Sequence, residues 1–268
     1  AVVGLGLVVA VAAGLLWLRS LFQEPGATLV PSVAARLGAR SILAVFPHPD
    51  DEIKAAGLIA DATSRGIEVR MITLAEGDRG EAGSAYPRSE LPRIREAEVR
   101  KSGAALGVRE QEVWQYSDGT LSSVEPELVR RLGERIAAWH PDALLTFDPE
   151  GGFTAHPDHL ATGRAVTAAF CNAKGSEAPR WLIYTLAPRP VAKKLGGKRG
   201  RLVAEREPAP ELRIAVNPKI KVRAWKIHAS QSDYVRRFAH MPPSILYRFF
   251  LTQEFYSVRG RDQCGGER

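Results

Sequence analysis

Cysteine is almost missing from this chain. Cys171 and Cys264 are the only two in 268 residues, which excludes a disulfide framework and a cysteine-rich metal site as organising principles and leaves any metal to histidine and carboxylate. Internal repeats are absent as well. With 45% hydrophobic and 25% charged residues the composition is that of a folded chain, so function does not rest on disorder, and the length fits one globular domain with little left over. Acid is scarce in the last third: residues 181–268 hold 18 Lys and Arg against 7 Asp and Glu, whereas residues 1–180 hold 19 against 23. The net charge of +7 therefore belongs to the C-terminal third. No nucleic-acid-binding motif accompanies it, and nucleic acid is excluded as a partner.

Charge is wholly missing from residues 1–18, AVVGLGLVVAVAAGLLWL. As a helix they measure about 27 Å at 1.5 Å per residue, close to the ~30 Å hydrocarbon core of a bilayer, and adding Leu21 and Phe22 closes the gap. The expectation is an N-terminal transmembrane anchor over residues 1–22. A cleaved signal peptide fits less well, because no A-x-A-like site stands before Gln23–Gly26. Arg19, Arg36 and Arg40 follow the apolar run, and the positive-inside rule then puts the catalytic domain in the cytoplasm, tethered as a single-pass protein.

Residues 23–40 read as a linker, and a domain over residues 41–268 follows. Its first apolar run, Ser41–Phe46, reads as a buried strand. Helical spacing over residues 52–65, an alternating run at Ile67–Leu74, a Gly-rich loop at Glu76–Leu91 and a helix at Arg93–Leu106 come next. Val113–Tyr116 reads as a short strand, Pro126–Trp139 as a helix, Ala143–Phe147 as a strand and Leu160–Phe170 as a helix. Strands at Trp181–Leu186 and Leu212–Val216 precede a helix at Ile220–His228, with Pro188–Arg201 between them as a basic loop. Such alternation predicts an α/β, Rossmann-like fold: a largely parallel sheet with helices on both faces.

Two clusters carry chemistry, each just after a strand, where ligands bind in open parallel sheets. After Ser41–Phe46 stands His48-Pro49-Asp50-Asp51-Glu52. If a helix starts at Pro49, His48 and Asp51 converge while Asp50 projects elsewhere. After Ala143–Phe147 the chain reaches His156-Pro157-Asp158-His159. Imidazole and carboxylate suit Zn²⁺, whose catalytic sites commonly use three protein ligands and keep one open position. Of the two histidines in the second cluster, one can bind metal while the other faces substrate.

These residues resemble the PIG-L and LmbE-like zinc de-N-acetylases, over about Ser41 to Val258. The most specific parts are HPDDE at 48–52 and HPDH at 156–159. Weaker support comes from Arg95-x-x-Glu98 before Leu106-Gly107-Val108, Asp118-Gly119-x-Leu121 and His228-x-Ser230-Gln231. The resemblance implies one zinc ion on His48, Asp51 and His159, with Asp50 as general base and His156 as the group that stabilises the oxyanion or protonates the leaving amine. It further implies that Arg95 and Asp118 contact sugar and that His228 lines or supports the pocket. A tyrosine frequent in the loop before the second motif is replaced here by Phe153-Thr154-Ala155, which leaves the oxyanion to imidazole and metal.

Simpler readings compete for three of these. Arg95 can pair with Glu98 on its own helix, Asp118 can form a turn with Gly119, and His228 can be a packed core histidine. The apolar N-terminus, the basic segment 188–201 and the aromatic tail Ser244–Leu251 together favour a membrane surface as partner and a membrane glycolipid, such as N-acetylglucosaminyl-phosphatidylinositol, as substrate. The alternative substrate is a small soluble glycoside of the mycothiol or bacillithiol precursor type. A membrane-tethered non-catalytic binding protein is the rival from another class. It predicts a missing ligand or base, and neither is missing.

Overall fold

The computed structural model describes residues 2–80, 86–231 and 242–265. In chain order the strands are β1 (Thr28–Leu29), β2 (Ser41–Phe46), β3 (Glu68–Ala75), β4 (Glu110–Tyr116), β5 (Ala143–Phe147), β6 (Trp181–Leu186), β7 (Leu212–Ala215) and β8 (Gln253–Gly260). The helices are α1 (Val2–Ser20), α2 (Val33–Arg36), α3 (Ala56–Ser64), α4 (Leu91–Ala105), α5 (Glu125–Trp139), α6 (Gly152–Ala155), α7 (Pro157–Asn172), α8 (Arg189–Leu195), α9 (Gly197–Arg206) and α10 (Pro218–Ile227).

The strands form one sheet in the order β1-β7-β8-β6-β5-β2-β3-β4. All ladders are parallel except the two made by β8, which runs antiparallel to β6 and β7. Strand β2 lies inside the sheet and its side chains alternate between two cores, as a strand covered on both faces requires. Ile42, Ala44 and Phe46 pack with Val33, Leu58, Ile59 and Val99 on one face, and Leu43 and Val45 pack with Leu128, Leu132 and Val166 on the other. The expected α/β sheet with helices on both faces is thus present, as a mixed rather than purely parallel sheet.

The N-terminus departs from expectation. Among the described residues no helix is long and apolar enough to cross a membrane, which overturns the transmembrane anchor and the single-pass membrane location. The apolar run is cut short by the fold. Arg19 and Ser20 end α1, and Leu21 and Phe22, which a span would need, turn back into the domain at 4% and 9% exposure against Leu246 and Phe250. Residues 23–40, read as a linker, carry β1 on the edge of the sheet, paired with Leu212 and Arg213, and bring Val30, Val33, Ala34 and Ala39 into the core. The basic segment 188–201 is not a loop. It forms α8 and the start of α9, broken at Gly196 and Gly197, where Gly197 takes φ +62°. In the tail, Tyr247 and Phe250 point inward while Phe249 is exposed.

Strand β8 was not legible as a strand, yet it holds the first motif in place. Its Glu254 accepts from the backbone N–H groups of Gly57 (2.8 Å) and Leu58 (3.0 Å) and so caps α3, whose own N-cap residue, Ala55, offers no side-chain acceptor. Buried Lys221 of α10 balances that carboxylate at 2.8 Å, and Tyr256 donates to it. A Cβ at Gly57 would meet Glu254 Oε2 at 2.8 Å and Val216 at 2.5 Å, so the missing side chain is what admits this approach.

The two cysteines pair. Cys171 at the end of α7 is joined to Cys264 across 93 residues of sequence, clasping the helix that begins with the second motif to the C-terminal segment. Disulfides typically contribute about 2–4 kcal/mol by limiting the unfolded chain. The C171S/C264S variant should therefore unfold at a lower urea midpoint than the oxidised protein, with an unfolding free energy lower by about that much. Equal midpoints, or two titratable thiols in unreduced protein, would show that the clasp does not form.

Candidate functional site

Both motifs lie where the sheet delivers them. β2 and β5 are adjacent and parallel, with Ile42 opposite Ala143 and Ala44 opposite Leu145, so their carboxyl ends open side by side. After β2 the chain turns sharply. Asp50 takes φ 126°, a conformation rarely adopted by a residue with a side chain, and a 3-10 turn over Asp51–Ala55 follows. After β5 comes a tight loop in which Phe153 (φ 61°) and Ala155 (φ 53°) are also left-handed. His156 then caps α7, with Pro157 in the first turn of the helix, and its Nδ1 accepts the Asp158 N–H at 3.2 Å.

Three imidazoles form a triangle: ring centres lie 5.1 Å apart for His48 and His156, 5.4 Å for His48 and His159, and 5.3 Å for His156 and His159. Their nitrogens lie within 4.8 Å of one another, close enough to hold a metal ion. Asp51 completes a second possible set. Its Oδ2 lies 3.1 Å from His48 Nδ1 and 3.2 Å from His159 Nε2. For bonds of about 2.0–2.1 Å in tetrahedral geometry, ligand atoms stand roughly 3.3–3.4 Å apart, so these spacings fit a metal shared among the three.

The other ring nitrogens are already committed. His48 Nε2 is 3.0 Å from Asp158 Oδ2, and His159 Nδ1 is 2.8 Å from the Gly152 carbonyl and 3.1 Å from Thr154 Oγ1. Such outer partners fix the tautomer that turns the free nitrogen inward. His156 is arranged differently: its Nδ1 faces the Asp158 N–H, so in the neutral ring Nε2 carries the proton and is a donor.

Asp158, to which the HPDH pattern alone assigns no role, is wholly buried and accepts from Gly119 N (2.6 Å) and Leu121 N (3.2 Å) besides facing His48. Glu52 was likewise unassigned; it is fully buried and bonded to Ser102 and His228. Apart from the Asp50 N–H, which Glu52 accepts, the partners of these carboxylates come from segments 37 to 176 residues away, so nothing local in either motif marks them.

Charge is tuned by these contacts. Burial opposes a proton on His48, but the hydrogen bonds the ring donates to Asp158 and Asp51 outweigh it and raise the ring to about 10. Asp51 is held well below the usual carboxylate range: burial opposes, and His159 and His48 prevail. Burial pushes Asp50 up, partly countered by Arg95. His156 is lowered to about 4 by burial and the neighbouring imidazoles, so at neutral pH it is an uncharged donor.

The three residues expected to contact or line the substrate site are buried and engaged by protein partners. Arg95 is 3% exposed and does not pair with Glu98; it donates to the carbonyls of Pro49 (2.6 Å) and Gly77 (3.1 Å) and lies 3.4 Å from Asp50 Oδ1 and 3.7 Å from Asp118 Oδ2. Asp118 accepts from Gly77 N (3.0 Å) and Arg79 N (3.3 Å). His228 is completely buried on Glu52. Arg95 and Asp118 therefore brace the loop after β3, and His228 supports the turn after β2. Asp50 and His156 keep partial exposure at the site.

Comparison with known proteins agrees with this geometry. Residues 43–170 match the family PIG-L, described as GlcNAc-PI de-N-acetylase. The chain is 33% identical over 153 residues to the probable N-acetyl-alpha-D-glucosaminyl L-malate deacetylase 2 of Bacillus anthracis, covering 55% of this chain and 67% of that protein. The corresponding protein of Bacillus cereus is 34% identical, with 55% and 68% covered. A 1D-myo-inositol 2-acetamido-2-deoxy-alpha-D-glucopyranoside deacetylase of Nakamurella multipartita is 35% identical over 170 residues, 52% of this chain and 56% of that one. Among solved structures, N,N'-diacetylchitobiose deacetylase from Pyrococcus horikoshii superposes with a TM-score of 0.63 at 19% identity, over 85% of this chain and 87% of its own. The 4-carboxy-2-hydroxymuconate hydratase GalB of Pseudomonas putida gives 0.61 at 15% identity, over 82% and 95%. At those identities the two structures bear on fold alone.

If His48 is a metal ligand, binding displaces the proton that its raised pKa keeps on the ring at neutral pH. Between pH 7 and 9, below the raised value of about 10, uptake of one Zn²⁺ should release about one proton, and affinity should rise roughly tenfold per pH unit. Calorimetric titrations in buffers of different ionisation enthalpy measure this directly. Zero proton release across that range would mean that His48 is not a ligand. Asp158→Asn should weaken metal affinity about 10–100-fold, the usual cost of removing a partner that orients a metal-bound histidine; unchanged affinity would remove Asp158 from that role.

Proposed function

The chain belongs to the PIG-L family, and from that premise we propose that it is a zinc-dependent amide hydrolase that removes acetate from the acetamide of a small N-acetylglucosaminyl glycoside. The observation that carries this reading is the meeting of His48, Asp51 and His159 around one point, with Asp50 and His156 beside it. Relatives named for GlcNAc-malate and GlcNAc-inositol deacetylation favour a soluble glycoside with a compact polar aglycone. The glycolipid reading leaned on a transmembrane anchor, and that support is gone.

In the mechanism we propose, His48, Asp51 and His159 hold the metal and His156 stays off it. Zinc there would polarise the acyl oxygen and make water more acidic, which are the two difficulties of amide hydrolysis. Asp50 accepts the proton as water attacks the carbonyl carbon; its upward shift brings it closer to the range in which a carboxyl group works as a base. His156, neutral and with its proton on Nε2, donates to the oxygen on which negative charge grows, a contact that strengthens in the transition state. As the carbon–nitrogen bond breaks, the proton held by Asp50 passes to the departing nitrogen, leaving acetate and a free amine. A non-catalytic binding role would need one of these groups to be missing, and all are present.

Asp50→Asn tests the base. The amide keeps the shape of the side chain but cannot take a proton, so kcat should fall about 10²–10⁴-fold while elemental analysis still finds one metal per chain. Loss of metal instead would make Asp50 a ligand. Acetate release from N-acetylglucosaminyl malate, N-acetylglucosaminyl inositol and micellar N-acetylglucosaminyl-phosphatidylinositol ranks the substrates. Turnover confined to the micellar lipid would overturn the soluble-glycoside reading.

A further inference from the structure

Asp50 can act as a base only if its carboxylate is aimed, and its backbone is in a conformation that costs energy. At φ 126° and ψ −14° it lies outside the regions open to residues with a side chain. Strain of this kind, about 1–3 kcal/mol per residue, persists only where the surroundings over-determine it. One contact holds the Asp50 amide directly: its N–H donates to Oε2 of Glu52 at 3.1 Å. Glu52 cannot turn away, because its other oxygen, Oε1, receives Ser102 Oγ from α4 at 2.5 Å and His228 Nε2 from the end of α10 at 2.6 Å.

All three members of this set are completely or almost completely buried, with Glu52, Ser102 and His228 at 0% exposure. A charged carboxylate in such a place is costly unless fully bonded, and here its oxygens are used on one backbone amide and two distant elements. Arg95 grips the same turn from the other side through the Pro49 carbonyl. Ser102 and His228 differ in one respect: His228 lies beyond residues 43–170, the stretch matched by the family.

We propose that Glu52, clamped by His228 and Ser102, is a positioning residue that fixes the positive-φ backbone of Asp50 and thereby aims its carboxylate at the attacking water. The inference rests on Asp50 being the base. It assigns His228 to the support of catalysis from behind the turn, with no contact to substrate.

The test compares Glu52→Met, which fills the space without an acceptor, with Glu52→Gln, which keeps an acceptor for the Asp50 N–H. Each zinc-loaded full-length variant is assayed for acetate release from an N-acetylglucosaminyl glycoside that the wild type turns over, and for metal content. E52M should lose roughly 10²-fold in kcat, the scale of a small misplacement of a reacting group, with KM within about twofold and one metal retained. E52Q should recover most of that loss. If E52M does not fold, His228→Leu is read out in the same way against His228→Gln, whose amide nitrogen can replace Nε2 as donor. Wild-type kcat in the apolar variant would overturn the proposal, and so would equal losses of kcat, KM and metal in the apolar and conservative variants, the signature of a merely structural residue. Should D50N itself keep full turnover, the base assignment fails rather than the clamp.

Discussion

The site depends on one carboxylate oxygen. Oδ2 of Asp51 lies between His48 Nδ1 and His159 Nε2, and it joins two segments that are more than a hundred residues apart in sequence. This geometry exists because β2 and β5 are neighbours in a parallel sheet, so that the loops after them leave the same edge. The imidazoles and the carboxylate form a buried polar network. Its three inner donor atoms, two nitrogens and one oxygen, suit a borderline cation such as zinc better than magnesium or calcium, which prefer all-oxygen sites.

Around that oxygen the remaining polar groups sort by what they touch. Asp158, Gly152 and Thr154 face the outer nitrogens of His48 and His159. Glu207, buried at the end of α9, accepts from Phe153 N and Ala187 N and so pins the strained loop that carries the Gly152 carbonyl. Glu254 and Lys221 do the same for the helix after the first motif. Glu207, Lys221, His228 and Glu254 all come from beyond the family-matched stretch, so the C-terminal third serves the site from outside. A shared fold alone does not fix the reaction, as the resemblance to a hydratase illustrates; the donor set and the flanking Asp50 and His156 carry the assignment.

The sequence made the strands before both motifs legible because their signal is local: SILAVF and ALLTF are continuous apolar runs, and each is followed by a proline-containing polar cluster. His48 and Asp51 could be paired from their spacing, whereas the choice of His159 over His156 came from the family resemblance. For Arg95, Asp118 and His228 substrate-facing and structural readings both stood open, since their partners, Pro49, Gly77, Arg79 and Glu52, are set by loop packing that no periodicity reports. Segment 188–201 misled because its glycines and prolines mask two short helices, and β8 because a strand between β6 and β7 is defined by partners far away in sequence. The apolar N-terminus misled most. Composition measured its length, but only packing shows Leu21 and Phe22 leaving the helix for Leu246 and Phe250.

Two ligand sets are geometrically possible, the three histidines or His48 and His159 with Asp51, and the account stands on the second. Measuring the metal content of His156→Ala after equilibration with a mild chelator decides between them. One full equivalent of zinc, with acetate release largely lost, is the predicted result. Stripped metal, matched by full occupancy in Asp51→Ala, would make His156 a ligand and contradict the division of roles proposed for this site.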